Sequence, residues 1–210
     1  MATAIATLAA SGDPPSTVTA LERHASFFDP GGTGVITVRQ TYVGMRRLGI
    51  SLVWRLLLTP VINIFLGSLT RGRPSLVIRI DRIAQGKHPY DSGSFDDAGQ
   101  FDASAFRTLF DGDERAITAA EMNGAITARG NRRPQMGRIA ARLGHWFSGR
   151  EVAVLFCVAA DTTKAVGGRQ VPALTAATLG AFYDGTLFHR LARSRALVAA
   201  GCVRARVTLR

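Results

Sequence analysis

Two cysteines in 210 residues, Cys157 and Cys202, are too few for a disulfide scaffold, and the chain is long enough not to need one. They read as reduced thiols of a cytosol-facing protein. Acid is missing from a whole stretch: residues 122 to 150 carry six Arg, at 129, 132, 133, 138, 142 and 150, and no Asp or Glu. Residues 91 to 121 hold eight acids against two Arg, so the molecule has distinct basic and acidic regions. A formal charge of +11 calls for an anionic partner surface. Zinc-finger spacing and aromatic-rich basic motifs are both absent, so no nucleic acid is expected and phospholipid headgroups are the better partner.

Also lacking is a secretory leader. Met1 to Ala20 has neither a basic n-region nor a long apolar h-region, and residues 1–16 read as a disordered lead-in. Nor is there a long unbroken apolar run. Between Leu48 and Leu69, Arg55, Pro60 and Asn63 interrupt, leaving 14 uncharged residues from Leu56 to Leu69. That falls short of the roughly 18 to 20 needed to cross a bilayer. The expectation is peripheral insertion of this segment into a phospholipid monolayer, bent or hairpin-like at Pro60, with Arg55, Arg71 and Arg73 at the headgroups. A pair of core helices is the alternative.

What is present begins with a capping box, Thr19-Ala-Leu-Glu22, that opens a helix on which Val18, Leu21, Ala25 and Phe28 recur at helical spacing. His24 falls three residues after Leu21 and four before Phe28, so its ring belongs to the apolar face. A turn, Asp29 to Gly34, and a short β-like Val35-Ile36-Thr37 follow, and Thr37 with Gln40 opens a second helix. This is the frame of an EF-hand: Asp29 at position 1, Gly34 at 6, Val35 at 7, apolar Ile36 at 8. The ligands have mostly gone. Gly31, Thr33, Thr37 and Gln40 occupy positions 3, 5, 9 and 12, and Asp29 alone is too little charge to hold calcium tightly.

Asp111, Asp113, Ile117 and Glu121 suggest a second, shortened loop of this kind. Asp161 to Leu174, stretched by Gly167-Gly168, suggests a third. The fold class expected is mainly α, with EF-hand-like helix-loop-helix units joined by short β-ribbons around a central apolar segment. Asp102 should cap a short helix bearing Phe106, Leu109 and Phe110. Asp91 should form an Asx turn, with orientation of the nearby His88 imidazole as its other possible role. Cys157, inside the apolar run Val152 to Ala160, reads as a buried small hydrophobe rather than a thiolate ligand.

Five segments in order resemble the caleosin family: His24-Ala-Ser-Phe-Phe-Asp29; Ile64-Phe-Leu-Gly-Ser-Leu-Thr-Arg-Gly-Arg-Pro-Ser75; Lys87-His-Pro-Tyr-Asp-Ser-Gly93 with Phe95-Asp-Asp-Ala-Gly-Gln-Phe101; Arg129-Gly-Asn-Arg132; and Tyr183-Asp-Gly-Thr-Leu-Phe188. The resemblance places one domain at 17–192, with a degenerate EF-hand at 17–47, the apolar segment at 48–70, a C-terminal part at 71–192 and a basic tail at 193–210. The chain departs from the family in its missing EF-hand acids and in having only Pro60 within the apolar segment.

The resemblance implies a haem b peroxygenase that moves oxygen from a hydroperoxide to an unsaturated fatty acid. The surface it implies is that of a lipid droplet or of the endoplasmic reticulum, facing the cytosol. His24 and His88 correspond to the family's two haem histidines, one proximal and one distal, in an order left open. His145 and His189 match neither position. A non-catalytic surface protein of lipid droplets or membranes is the other reading, since the calcium ligands have been lost.

Overall fold

The computed structural model describes residues 18–87, 90–110, 115–130 and 138–199, with the backbone alone for 138–141, 143 and 147. The expectations for His88, Asp111, Asp113, the lead-in and the end of the tail lie outside them.

Helix α1 (Ala20–Ser26) starts at Thr19, whose hydroxyl accepts from Glu22 N–H while the Glu22 carboxylate accepts from Thr19 N–H. The same reciprocal cap, Thr37 with Gln40, starts α2 (Val38–Arg47). Strand β1 (Val35–Ile36) lies between them and pairs antiparallel with β2 (Ile78–Arg79), Ile36 opposite Ile78. Helix α3 (Leu52–Arg71) precedes β2, and a 3₁₀ segment, Ile80–Gly86, follows it. Two helix-loop-helix units are therefore joined through their loops.

The arrangement repeats in the second half. Asp102 caps α4 (Ala103–Arg107) through Ser104 and Ala105 N–H, and β3 (Ala116–Thr118) leads into α5 (Ala119–Arg129). Helix α6 (Arg138–Ala159) is followed by a hairpin, β4 (Thr162–Val166) and β5 (Arg169–Thr175), then α7 (Ala176–Tyr183) and α8 (Leu187–Ala199). The three-stranded sheet runs β3-β5-β4, with Ile117 opposite Leu174. The mainly helical class with short β-ribbons between loops is thus what forms.

Three local expectations are corrected. The Asp161–Leu174 segment is a β-hairpin and not a stretched loop: Gly167 and Gly168 both have positive φ and form its two-residue turn, which glycine adopts without steric cost. Cys157 is exposed. Helix α6 buries Val152, Leu155, Phe156 and Ala159 at helical spacing, and Cys157 falls on the opposite side.

The apolar segment is neither a hairpin nor a helix pair but one continuous helix of 20 residues, long and apolar enough by itself to cross a membrane. The count of 14 stopped at Arg55, which the helix tolerates by laying the guanidinium 4.9 Å over the Tyr42 ring. Pro60 lacks an N–H and leaves the Leu56 carbonyl without its helical donor, yet both residues lie on the exposed side, where that carbonyl is not trapped in the protein.

Helix α3 is built inside-out. Its buried positions are Leu58, Thr59, Asn63, Gly67 and Thr70, while Leu52, Val53, Trp54, Leu56, Leu57, Val61 and Ile64 are exposed. The polar side chains dock it: Asn63 Nδ2 donates to the Leu76 carbonyl at 2.9 Å, and Thr70 Oγ1 accepts from Arg79 N–H at 3.1 Å. Burial of apolar surface does not hold the outer face. That pattern suits a helix whose outer medium is apolar.

Candidate functional site

Between the two halves lies a cavity of about 280 Å³. Its walls are mainly aliphatic and aromatic, with Leu21, Met45, Ile62, Leu155, Phe182 and Phe188 among them; Lys87, Asp91, Arg150 and Glu151 also reach it. The hydrophobic clusters of the two halves meet around this space. The smaller centres on Ala25, Ile36, Ile78 and Ile83; the larger contains Ile117, Phe156, Leu174, Leu179 and Tyr183.

His24 lies in this cavity, at the end of α1. Its ring meets Phe182 edge-on at 4.8 Å and Phe188 at 4.5 Å. The surface it shows lines the cavity. Burial pushes its pKa down to about 4, against the opposing effects of a hydrogen bond to the Phe182 backbone carbonyl and of Glu151; His189 lowers it slightly further. At neutral pH the imidazole is therefore uncharged. One ring nitrogen donates to Phe182, and the other keeps its lone pair.

Two residues at the seam fix this position. Arg23 Nη1 donates to the Asp184 carbonyl at 2.9 Å. Gly185, at φ 83°, brings the α7–α8 turn so close to α1 that a Cβ there would fall 2.7 Å from the Ala20 carbonyl oxygen and from His24 N. A side chain at 185 would push His24 away from Phe182.

Tyr183 also lines the cavity, fully enclosed among Phe95, Phe101 and Phe106. Burial pushes its phenol up to about 12, against the pull of the Ser92 and Ser94 hydroxyls. It holds its proton throughout the physiological range. Asp91 accepts from Gly93 N–H at 2.7 Å, the Asx turn expected of it, and Lys87 Nζ donates to the carbonyls of Phe95 and Asp96.

Asp29 lies elsewhere, in the first loop. Thr33 Oγ1 and Gln40 Nε2 donate to its Oδ1 at 3.0 and 3.1 Å, and Gly34 N–H to its Oδ2 at 2.7 Å. The amide of Gln40, at the position where a calcium loop places its last carboxylate, supplies a donor in place of a ligand. Among the described residues no group of three or more His, Cys, Asp or Glu comes together. His145 and His189 are exposed, His145 edge-on to Tyr90 and His189 edge-on to Phe27.

Sequence reasoning missed Phe182, Tyr183 and Glu151. Tyr183 was within reach, as the first residue of the Tyr183-Asp-Gly-Thr-Leu-Phe188 segment. Glu151 carried a signal too, being the first acid after the acid-free run.

The residues present suit a haem. An uncharged imidazole with a free lone pair is the donor that iron takes, and the walls are mainly apolar; of the two cations at the rim, Lys87 is engaged by Phe95, Asp96 and Asp97, and the Arg150 guanidinium lies over the Trp146 ring. His88 lies outside the described residues.

The family model described as "Caleosin related protein" matches residues 16–192. A curated relative from Arabidopsis thaliana named "Probable peroxygenase 4" is 31% identical over 184 residues, covering 83% of this chain and 86% of that one. One from Lilium longiflorum named "Peroxygenase" is 28% identical over 186 residues, covering 84% and 71%. No solved structure matches significantly. With the family match spanning both halves and the seam between them, the chain belongs to the caleosin family.

Proposed function

We propose that this protein is a haem-dependent peroxygenase that transfers oxygen from a fatty-acid or organic hydroperoxide to an unsaturated fatty acid at a lipid surface. The observation that carries this reading is His24: a neutral imidazole, enclosed by aromatic rings in an apolar cavity, with one N–H already committed to a backbone carbonyl. The peroxygenase names of the two relatives support it.

Haem, when bound, supplies the redox centre at which a hydroperoxide gives up one oxygen atom to the lipid. The chain's own groups do the rest. His24 holds the iron, and the Phe182 carbonyl fixes the orientation and basicity of its ring. The apolar walls receive an acyl chain and keep water out. Tyr183 keeps a proton inside the site that a peroxide oxygen can accept in a hydrogen bond. His88 is proposed as the second histidine of the site, with its part still to be assigned by substitution.

The exposed apolar face of α3 supports a lipid-surface location, which on this reading is a lipid droplet or the endoplasmic reticulum, on the cytosolic side. A hydroperoxide already contains the oxygen and the oxidising equivalents, so no reductase or reduced nicotinamide is needed.

The test is spectral and isotopic. The reconstituted protein is expected to show a haem Soret band that His24→Ala abolishes, and to move ¹⁸O from labelled hydroperoxide into the epoxide or alcohol of oleate. A Soret band surviving replacement of both His24 and His88, or product without label, would overturn the reading and leave a non-catalytic lipid-surface protein.

A further inference from the structure

A cleft of about 460 Å³ opens between the end of α2 and α8, lined by Arg47, His189, Ala192, Arg193, Arg195 and Ala196. No acid lines it, and no carboxylate among the described residues forms an ion pair with its three arginines. Like charges around one cleft repel, so the fold holds this arrangement against its own electrostatics.

Two of the arginines are tied down. Arg47 has its guanidinium 4.6 Å over the Phe27 ring and donates to the Phe27 carbonyl at 3.4 Å. Arg195 donates to the carbonyls of Leu48 and Val158. All these partners are neutral, so none cancels charge. Burial lowers the pKa of Arg195, a penalty on its cation that a bound anion would offset. Alanines at 192 and 196 leave the floor of the cleft open.

The position is informative. Leu48 closes α2 and Leu52 opens α3, so the cleft adjoins the end of α3 where Leu52, Val53 and Trp54 are exposed. A cationic cleft beside an exposed apolar helix end matches a molecule with an anionic head and an apolar tail.

We propose that this cleft binds a phosphate group, carried by the headgroup of an anionic phospholipid whose acyl region meets α3. A guanidinium fork matches the oxygen geometry of phosphate; exposed Arg193 offers one, while Arg47 and Arg195, held by neutral carbonyls, keep their charge at the cleft before any ligand arrives. The site is independent of the chemistry proposed at His24; only the placement of the acyl region rests on the reading of α3 as lipid-facing.

The test titrates the full chain with phosphatidylcholine vesicles, with the same vesicles carrying phosphatidic acid, and with inorganic phosphate. Arg47→Gln/Arg193→Gln is expected to weaken binding to phosphatidic-acid vesicles by about 30-fold, the effect of two cations at an anionic lipid surface, with phosphatidylcholine binding unchanged. Arg193→Gln alone, at an exposed position that leaves the fold intact, should weaken it by about fivefold. Arg107→Gln/Arg169→Gln removes the same charge elsewhere and should cost at most about threefold.

Equal losses in the two double variants would overturn the cleft in favour of diffuse charge. Inorganic phosphate binding at these arginines, without any preference for phosphatidic acid, would overturn the lipid as its source. Phosphatidic-acid dependence that persists when plain phosphatidylcholine is not bound would support the cleft and remove the reading of α3.

Discussion

The two halves of the molecule share a plan and differ in what fills it. Each joins two helix-loop-helix units by pairing one isoleucine with another apolar residue across the loops, Ile36 with Ile78 and Ile117 with Leu174. Among the described residues, each keeps an aspartate where a cation-binding loop would begin. In the first half Asp29 is buried and served by Thr33, Gly34 and Gln40. In the second, Asp161 is exposed and accepts from Thr175 N–H and from the hydroxyls of Thr175 and Thr178. The first half has a small aliphatic core, the second a large aromatic one. The loops have thus become structural in two ways: a buried carboxylate closed by its own neighbours, and an extra hairpin.

The largest expected difference lies in the cores. Leu174 is completely buried in the larger cluster, so Leu174→Ala should cost about 4 kcal/mol. Ile36→Ala, in a smaller cluster beside a cavity that can absorb the loss, should cost about 2 kcal/mol. Denaturant unfolding of both measures this. Equal costs would mean that the halves are packed alike.

The seam between the halves should respond to pH through His24. Its folded pKa, about 4, lies below the ordinary 6.5, so protons bind the unfolded chain first. The stability tied to a neutral His24 is complete above pH 6.5 and is lost as pH falls toward 4, by an amount on the order of 3 kcal/mol. His24→Gln should lack that part of the pH dependence in denaturant titrations of the haem-free protein. Parallel curves for the two proteins would detach His24 from the seam.

Smaller effects separate the aspartates. Asp29→Ala leaves three donors without their acceptor in a partly closed loop and should cost about 1 to 3 kcal/mol, whereas Asp161→Ala, exposed, should cost no more than about 1 kcal/mol. Calcium or a chelator is expected to leave the thermal midpoint of the native protein unchanged, because Gln40 already occupies Asp29. Gln40→Glu restores a second carboxylate and should make the midpoint rise with calcium. A calcium-dependent midpoint in the native chain would show the first loop to be a working site.

The parts of this fold that could be read in the sequence are those set within a few residues. The caps at Thr19, Thr37 and Asp102 declare themselves because cap and capped N–H lie within three residues of each other, and the strand at Val35–Ile36 follows from the loop frame. What escaped depends on distant partners. The Phe182 carbonyl and Phe188 ring that enclose His24 belong to the other end of the chain, joined to α1 by contacts such as Arg23 to Asp184 across 161 residues. Arg55 looked like the end of an apolar run because Tyr42, which accommodates it, lies on another helix. Cys157 was placed by the composition of its run, when helical phase decides which side of α6 it takes.

The inside-out build of α3 also governs how the free protein behaves in water. Leu52, Val53, Trp54, Leu56, Leu57, Val61 and Ile64 form a band that water leaves poorly solvated. Copies of the chain can cover this band on one another, and lipid can cover it as well, but not both at once. Self-association and adsorption are therefore competing equilibria, and the affinity measured for vesicles falls as protein concentration rises. Dilute protein will bind best.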